Sequence, residues 1–447
     1  MGRRVENPFK EQGLPSWIRY LSTGLTGFFV AWCLFGGKRD SAIDRKLTST
    51  SQALKSRLRR AQPEVEEKYV QEYENDDFIE PEETPAPNDE EGGDDFFPDL
   101  PQDEYLEWVH SHYETLKFNP QKARNLLTKP MLEESLDLGC DYLAANQKEG
   151  TGNFNYQYDF VEKKLDTDDS PVRQAGALWG MTLCFQSHPQ NESYRSSVEL
   201  GIAFFQDHMV AGPVPGSSMI EYPDFEESQS GVNALYGLTL IDYIRTIRDN
   251  DLPLTDDTDD QYSIRNLEEQ LAKTIGFLRY MQNSNLHFSE TYDFEDEQKS
   301  RESSPYYDGE TLLCLVKAAR YIDGYEDSLI PVIEKVAPVL AKSYTLDAWR
   351  DDEYDSDSTK GFYQWSSMAF TEYFFAQWKD YEYFGDLVLS LSHWIVHIHG
   401  ILERPKNTGY AFEGIISALH IAQNRQEKEI VGDLLYTIHE GLYNLGT

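Results

Sequence analysis

Basic residues and cysteines are both scarce in this chain, and each shortage removes a class of function. Lysine and arginine number 40 against 78 aspartates and glutamates, a formal net charge of −38 over 447 residues. Nucleic-acid binding needs a basic stripe to neutralise phosphates, so no nucleic-acid partner is expected. The balance suits a solvated acidic surface or cationic partners. Cysteine occurs at Cys33, Cys140, Cys184 and Cys314 with no short paired spacing, which excludes a zinc ribbon or a dense disulfide framework. The last three lie in helical apolar patterns and are expected to be buried free thiols. No phosphate loop, dinucleotide fingerprint or nucleophile elbow is present, so no cofactor is expected. Nor is a metal. His393 and His397 are one helical turn apart, but His399 faces away and no HExxH acid accompanies them, so these read as surface or interface histidines of an outer helix.

What is present is segregated along the chain. The first 60 residues carry twelve basic side chains against four acids, whereas residues 64 to 104 are densely acidic with Lys68 as the one basic residue. After a basic segment (1–19), residues 20–37 are uncharged and rich in Leu, Phe, Val and Trp, bracketed by Arg19 and by Lys38-Arg39. That length and composition predict a retained transmembrane helix, with a membrane-protein complex as one setting for it. Its flanks, four basic residues before and eight after, favour the C-terminal side as cytoplasmic and count against an external domain. The folded domain is nonetheless expected to be extracytoplasmic in a single-pass membrane protein, with the orientation open. A charged juxtamembrane segment (38–75) and an acidic linker (76–102) follow. The linker, interrupted by Pro81, Pro85, Pro87, Gly92-Gly93, Pro98 and Pro101, cannot bury apolar surface and is expected to be disordered.

From about Asp103 the periodicity is helical almost throughout. The segment Gly176-Ala177-Leu178-Trp179-Gly180-Met181-Thr182-Leu183 is nearly repeated 57 residues later as Asn233-Ala234-Leu235-Tyr236-Gly237-Leu238-Thr239-Leu240. Glycine inside a helix costs about 1 kcal/mol relative to alanine, so its reuse predicts close helix approach. Helices that follow long polar or aromatic loops (about 171–187, 228–248, 309–323, 362–379 and 411–423) alternate with helices that mostly follow short turns (about 130–147, 191–209, 264–283, 326–343, 382–400 and 427–444). A helix at 104–116 makes twelve. The expected fold is all-α: an (α/α)6 toroid of six helical hairpins over 103–447, preceded by the transmembrane helix and the disordered acidic linker. Equivalent inner positions at Ala177, Ala234, Thr311, Ser367 and Ile415 are spaced by 57, 77, 56 and 48 residues, the insertions falling in loops.

With Asn153-Phe154-Asn155-Tyr156 placed before Val172-Arg173-Gln174-Ala175-Gly176, the chain resembles the six-hairpin α/α toroids. That superfamily includes glycoside hydrolases, polysaccharide lyases, sugar and uronate epimerases and class II terpene cyclases. The resemblance implies a glycan or polysaccharide ligand and one of several reactions, since one fold hosts many chemistries. Asp166-Thr167-Asp168-Asp169 matches the acid motif of the cyclases, but the same tetrapeptide recurs at Asp257 to Asp260 on the opposite mouth. In so acidic a chain, such matches arise from composition.

Long loops gather at the N-terminal ends of the inner helices, which places the functional mouth there. Tyr306-Tyr307-Asp308-Gly309-Glu310 opens one inner helix, with Asp308 expected as its N-cap and Glu310 as a first-turn acid. Candidate catalytic residues are Glu310 and Glu413, as paired carboxylates, with Tyr307 as proton donor or shuttle and Arg173 to neutralise a uronate carboxylate. Candidate substrate-binding residues are Tyr156, Asp308, Tyr292, Tyr363, Trp365 and Tyr410. The leading expectation is a membrane-anchored glycan-acting enzyme working by hydrolysis, elimination or epimerisation. A non-catalytic glycan-binding or scaffold toroid is the alternative, and a terpene cyclase a minor one.

Overall fold

Eleven long helices and three small sheets make up the residues that the computed structural model describes, 129 to 446 apart from 160–162, 166–168, 254–260, 353 and 404–408. Five helices are inner: α2 (Pro171–Ser187), α4 (Ser230–Asp249), α6 (Pro305–Tyr321), α8 (Asp357–Ala376) and α10 (Gly409–Asn424). Six are outer: α1 (Lys129–Ala145), α3 (Glu192–Asp207), α5 (Ile264–Tyr280), α7 (Glu326–Lys342), α9 (Tyr381–His393) and α11 (Lys428–Gly446). Inner helices pack side by side in chain order, and each lies against the outer helix that follows it. The described chain is thus an all-α, multi-hairpin toroid. The expected helix at 104–116 lies outside the described residues.

Burial sorts the two classes as the alternation of loops predicts. In α4 every residue from Ser230 to Ile244 is buried, whereas α5 buries one face, Leu267, Leu271, Thr274, Ile275 and Leu278 among it. Gly237 permits the close approach that the repeat implied, because a Cβ there would stand 2.6 Å from Cys314 Sγ on α6. Helix α6 begins four residues before the expected start. Pro305 occupies its first turn, where the missing N–H costs nothing.

The letter repeat conceals a rotation. Side chains of the fourth residue in α2, α4 and α6 anchor the preceding rim segment: Gln174 accepts from Phe154 N (2.7 Å), Asn233 from Ile220 N (3.1 Å) and Asp308 from Phe288 N (2.7 Å). Equivalent residues by this contact are 59 and 75 apart, not the 57 and 77 of the letters. Two residues are about 200° of helical rotation. Trp179 and Tyr236, aligned by letters, accordingly face opposite ways although both are buried. Trp179 crosses the ring to Trp365 of α8 (centroids 5.7 Å) and donates Nε1–H to Asp242 (2.9 Å). Tyr236 points outward, stacking on Phe205 of α3 and donating to Gln270 of α5.

In the anchored register, Asp242 and Lys317 occupy one level of the ring and Arg245 and Arg320 another. Lys317 Nζ lies 2.5 Å from Asp242 and Arg245 3.0 Å from it, while Arg320 pairs with Glu372 of α8. Burial pushes the Asp242 carboxyl up, but Lys317 and Arg245 outweigh it and hold the group below its ordinary range. Three small sheets lie outside the ring: β1 (Tyr158–Asp159) with β2 (Lys164–Leu165), β3 (Met209–Ala211) with β4 (Ser218–Ile220), and β5 (Glu227–Gln229), β6 (Thr291–Asp293) and β7 (Gln298–Lys299) in that order. In the last, Ser228 pairs with Tyr292, tying the segment before α4 to the one before α6.

Several expectations are corrected. Among the described residues no helix is long and apolar enough to cross a membrane. The two longest, α4 and α8, carry Asp242, Arg245, Arg248 and Asp249, and Asp357, Lys360 and Glu372. The single-pass membrane localisation, the membrane as partner and the associated complex are therefore not retained. The segment 20–37 and the expected disordered linker 76–102 both lie outside the described residues. Cys140 and Cys184 are not free thiols but form a disulfide between α1 and α2, and Cys314 alone of the three is free and buried. Helix adjacency brings together cysteines that are 44 residues apart, which spacing does not reveal.

Two measurements check this architecture. Trp179→Ala is expected to destabilise by about 3 to 5 kcal/mol, through the cavity and the donor lost from Asp242; a loss below about 1 kcal/mol in denaturant melts rules out the cross-ring placement. Thiol reduction, or Cys140→Ser, is expected to lower stability by about 2 to 4 kcal/mol, read as a drop in Tm, with Cys184→Ser giving the same drop.

Candidate functional site

Glu310 is the sixth residue of α6 and 3% exposed, and its Oε2 has no hydrogen-bond partner. Room for it comes from Gly231 in the first turn of α4, where a Cβ would stand 2.3 Å from Glu310 Oε2 and 2.3 Å from the Tyr307 ring. Burial pushes the carboxyl well above the ordinary carboxylate range. Tyr307 lies one turn back on the same helix and donates to Gln229 Oε1 (3.2 Å), the residue that caps α4. Burial, together with Glu310, Glu290 and Glu227, raises its phenol further above its ordinary value. Glu290 is itself raised by burial and by Glu227 and Glu302. The mouth beside α4 and α6 is therefore acidic and reluctant to ionise further.

Glu413, the fifth residue of α10, is 6% exposed and accepts a hydrogen bond from Gln364 Nε2 of α8. Trp365, next to that glutamine, fills the axis against Trp179 and over Gly309, where a Cβ would lie 2.6 Å away. Glu310 and Glu413 thus occupy the second turns of different inner helices, one set against α4 and the other against α8, with Trp365 packed on the residue before Glu310. Tyr410, in the first turn of α10, is 8% exposed.

The remaining candidates lie elsewhere. Asp308 is not an N-cap, since Ser304 holds that position. Asp308 is fully buried, and besides the Phe288 amide it accepts from Tyr344 Oη (2.6 Å) and pairs with His287 Nδ1 (2.6 Å). Tyr344 is delivered by a π-helical turn, Ser343–Asp347, at the end of α7. Tyr292 is buried against Phe277 and Tyr280 of α5. Tyr363 is buried between α8 and α10, donating to Ala411 O (3.1 Å), and Gly414 makes room for its ring. Arg173 is exposed at the rim, where its guanidinium donates to Tyr156 Oη (2.7 Å). The His393 and His397 rings lie tilted against each other (centroids 4.4 Å), and the buried His399 turns to Asp355.

Sequence reasoning did not find the pocket in which Tyr156 stands. A concavity of about 790 Å3 opens on the rim, lined among others by Tyr156, Asp169, Phe204, Asp207, His208 and Tyr222. Asp169, the last residue of the acid tetrapeptide, is held by Gln174 Nε2 (2.7 Å) and Tyr222 Oη (2.7 Å). The tetrapeptide's first three residues lie outside the described residues. The turn at Tyr222-Pro223-Asp224 was the available signal, but nothing local links it to residues near 150.

No known family model and no curated protein matches the chain. Among solved structures, it is similar to a family 76 glycoside hydrolase from a bovine Bacteroides thetaiotaomicron strain, at 12% identity over 67% of this chain and 64% of that one, with a TM-score of 0.45. It is likewise similar to the family 76 mannosidase of Bacteroides thetaiotaomicron VPI-5482 (10% identity, 67% and 81%, TM-score 0.46) and to a D-mannose isomerase (13%, 59% and 69%, TM-score 0.41). The chain spans 64% of the first of these. Similarity this distant carries no argument about chemistry.

The contacts of Asp308 give a direct check. Asp308→Ala leaves the Phe288 amide, Tyr344 and His287 without their acceptor, so a loss of about 3 to 5 kcal/mol in stability is expected. An unchanged Tm in this variant refutes the anchoring role and returns Asp308 to the ligand-binding candidates.

Proposed function

We propose that the protein is a glycan-acting toroid enzyme whose mouth at the inner-helix N-termini hydrolyses a glycosidic bond. Glu310 carries the reading. It is a buried carboxyl whose proton desolvation holds more tightly than an ordinary carboxyl's, with one oxygen unpartnered among the described residues and so able to deliver that proton to a leaving-group oxygen. Glu413 is the second carboxylate that glycoside hydrolysis calls for, and Gln364 orients it. Tyr307 lines the approach to Glu310.

Hydrolysis is favoured over elimination or epimerisation at a uronate on two grounds. A base drawn from Tyr307 has to ionise beside Glu310, Glu290 and Glu227, against a phenol already raised by burial. Arg173, the cation proposed to neutralise a uronate, is bonded to Tyr156. An acidic mouth that shows no free cation beside Glu310 among the described residues suits an uncharged sugar.

Glu310→Gln tests both the chemistry and its cost. Turnover, measured as reducing ends released from neutral polysaccharides, is expected to fall on the order of 100-fold or more, with glycan binding retained. Stability should move the other way. A carboxyl whose folded-state pKa is raised binds its proton more tightly in the folded protein, so wild-type stability falls as pH rises from the unfolded-state value towards and through the folded one. The glutamine variant lacks that slope, so its Tm advantage is expected to grow over the same range. Unchanged turnover, or unsaturated-uronate absorbance in place of new reducing ends, overturns the proposal.

A further inference from the structure

The rim pocket is built from elements that the Glu310 mouth does not use: the 148–156 turn, the C-terminal end of α3 and the 222–225 turn. We infer that it is a separate binding site for a neutral oligosaccharide. Its volume of about 790 Å3 falls within the roughly 300–1,000 Å3 typical of small-ligand sites. Its aromatic lining is braced. Tyr222 meets Phe204 (5.6 Å) and Phe225 (5.8 Å) edge-on and is tethered through its hydroxyl to Asp169. Tyr156 is held by Arg173. Tyr222 (3% exposed) and Phe204 (7% exposed) are buried supports, and the half-buried Tyr156 and Phe225 are the rings a sugar can reach; already fixed, these lose little rotamer freedom on binding.

The polar lining is acceptor-rich. Asp169, Asp207 and Asp224 all face the pocket, with Asp207 and Asp224 exposed. Ionised carboxylates only accept hydrogen bonds, and sugar hydroxyls supply donors. His208 also lines the pocket, its Nδ1 donating to the Phe204 carbonyl (2.7 Å), which can only accept, so its ring is held in place. Among the described residues, three aspartates stand against two cations, Lys148 in the lining and Arg173 over the Tyr156 ring, so the balance remains negative. Carboxylated or sulfated sugars meet net repulsion there, and uncharged ones do not.

The site is separable from the Glu310 chemistry by variant. With the full chain, titration calorimetry uses mannotriose, cellotriose and chitotriose as neutral probes and trigalacturonate as the anionic one. At least one neutral trimer is expected to bind, and trigalacturonate to bind at least about tenfold more weakly. Tyr156→Ala and Asp224→Asn are each expected to weaken the neutral trimer by about tenfold or more, while Glu310→Gln binds as the wild type does. Asparagine tolerates the left-handed backbone of Asp224 (φ 65°), so that variant keeps the turn. Failure of every neutral trimer to bind overturns the inference. So does binding lost in Glu310→Gln but unchanged in both rim variants, or binding in which trigalacturonate is preferred. Turnover is read separately, so a catalytically silent Glu310 does not alter these outcomes.

Discussion

A fully buried carboxylate, Asp242, sets the register of three inner helices. It receives Trp179 from α2, Lys317 from α6 and Arg245 from its own helix α4. Removing any one of these donors leaves charge under-compensated in a low-dielectric interior, a penalty of about 3 to 5 kcal/mol in comparable buried pairs. Sliding a helix by one residue removes a donor just as a mutation does. The network extends through Arg320 and Tyr321 to Glu372 of α8, and burial holds His420 of α10 neutral, down at about 4. These charges occupy the C-terminal halves of the inner helices. Their pairing there leaves the N-terminal halves level with one another.

The two ends of the ring consequently differ in kind. At the C-terminal end the buried carboxylates have cationic partners, which lower Asp242 and Glu372 against the pull of burial. At the N-terminal end Glu310 has none among the described residues, and burial governs it. An uncompensated acid costs stability, and proteins tolerate such costs chiefly where the group is used. Gly231 makes the arrangement possible, because any side chain at that position occupies the space of the carboxyl.

Rim loops are tied down by a device used three times. Gln174, Asn233 and Asp308 each take a backbone amide from the buried apolar residue Phe154, Ile220 or Phe288. A polar side chain on the fourth residue of a helix thus caps the preceding strand-like segment and satisfies an otherwise orphaned N–H. Phe154 and Phe288 also bridge to Gln147 and Gln282 just past the preceding outer helices. Each long loop is pinned close to both of its ends, and the intervening residues are free to line the mouth and the rim pocket.

Period and loop length were enough to locate the helical hairpins in the sequence, because amphipathic and fully buried helices differ in pattern. Glu310 was legible only as an acid near the head of an inner helix; it was expected in the first turn and lies in the second and buried, because the helix starts at Pro305. Facing was not legible. Trp179 and Tyr236 share a letter motif yet point to opposite sides, since register is decided by contacts with Asp242 from other helices and with the rim amides, and those partners lie 13 to 75 residues away. The same distance hid the disulfide between Cys140 and Cys184 and the gathering of Tyr156, His208 and Tyr222 into one pocket. It also turned Asp308 from an apparent cap into an anchor. Local sequence determines which residues are helical and which faces are apolar, because those depend on neighbours within a few turns. Which polar groups meet across the ring depends on closure, and closure exists only in the tertiary structure.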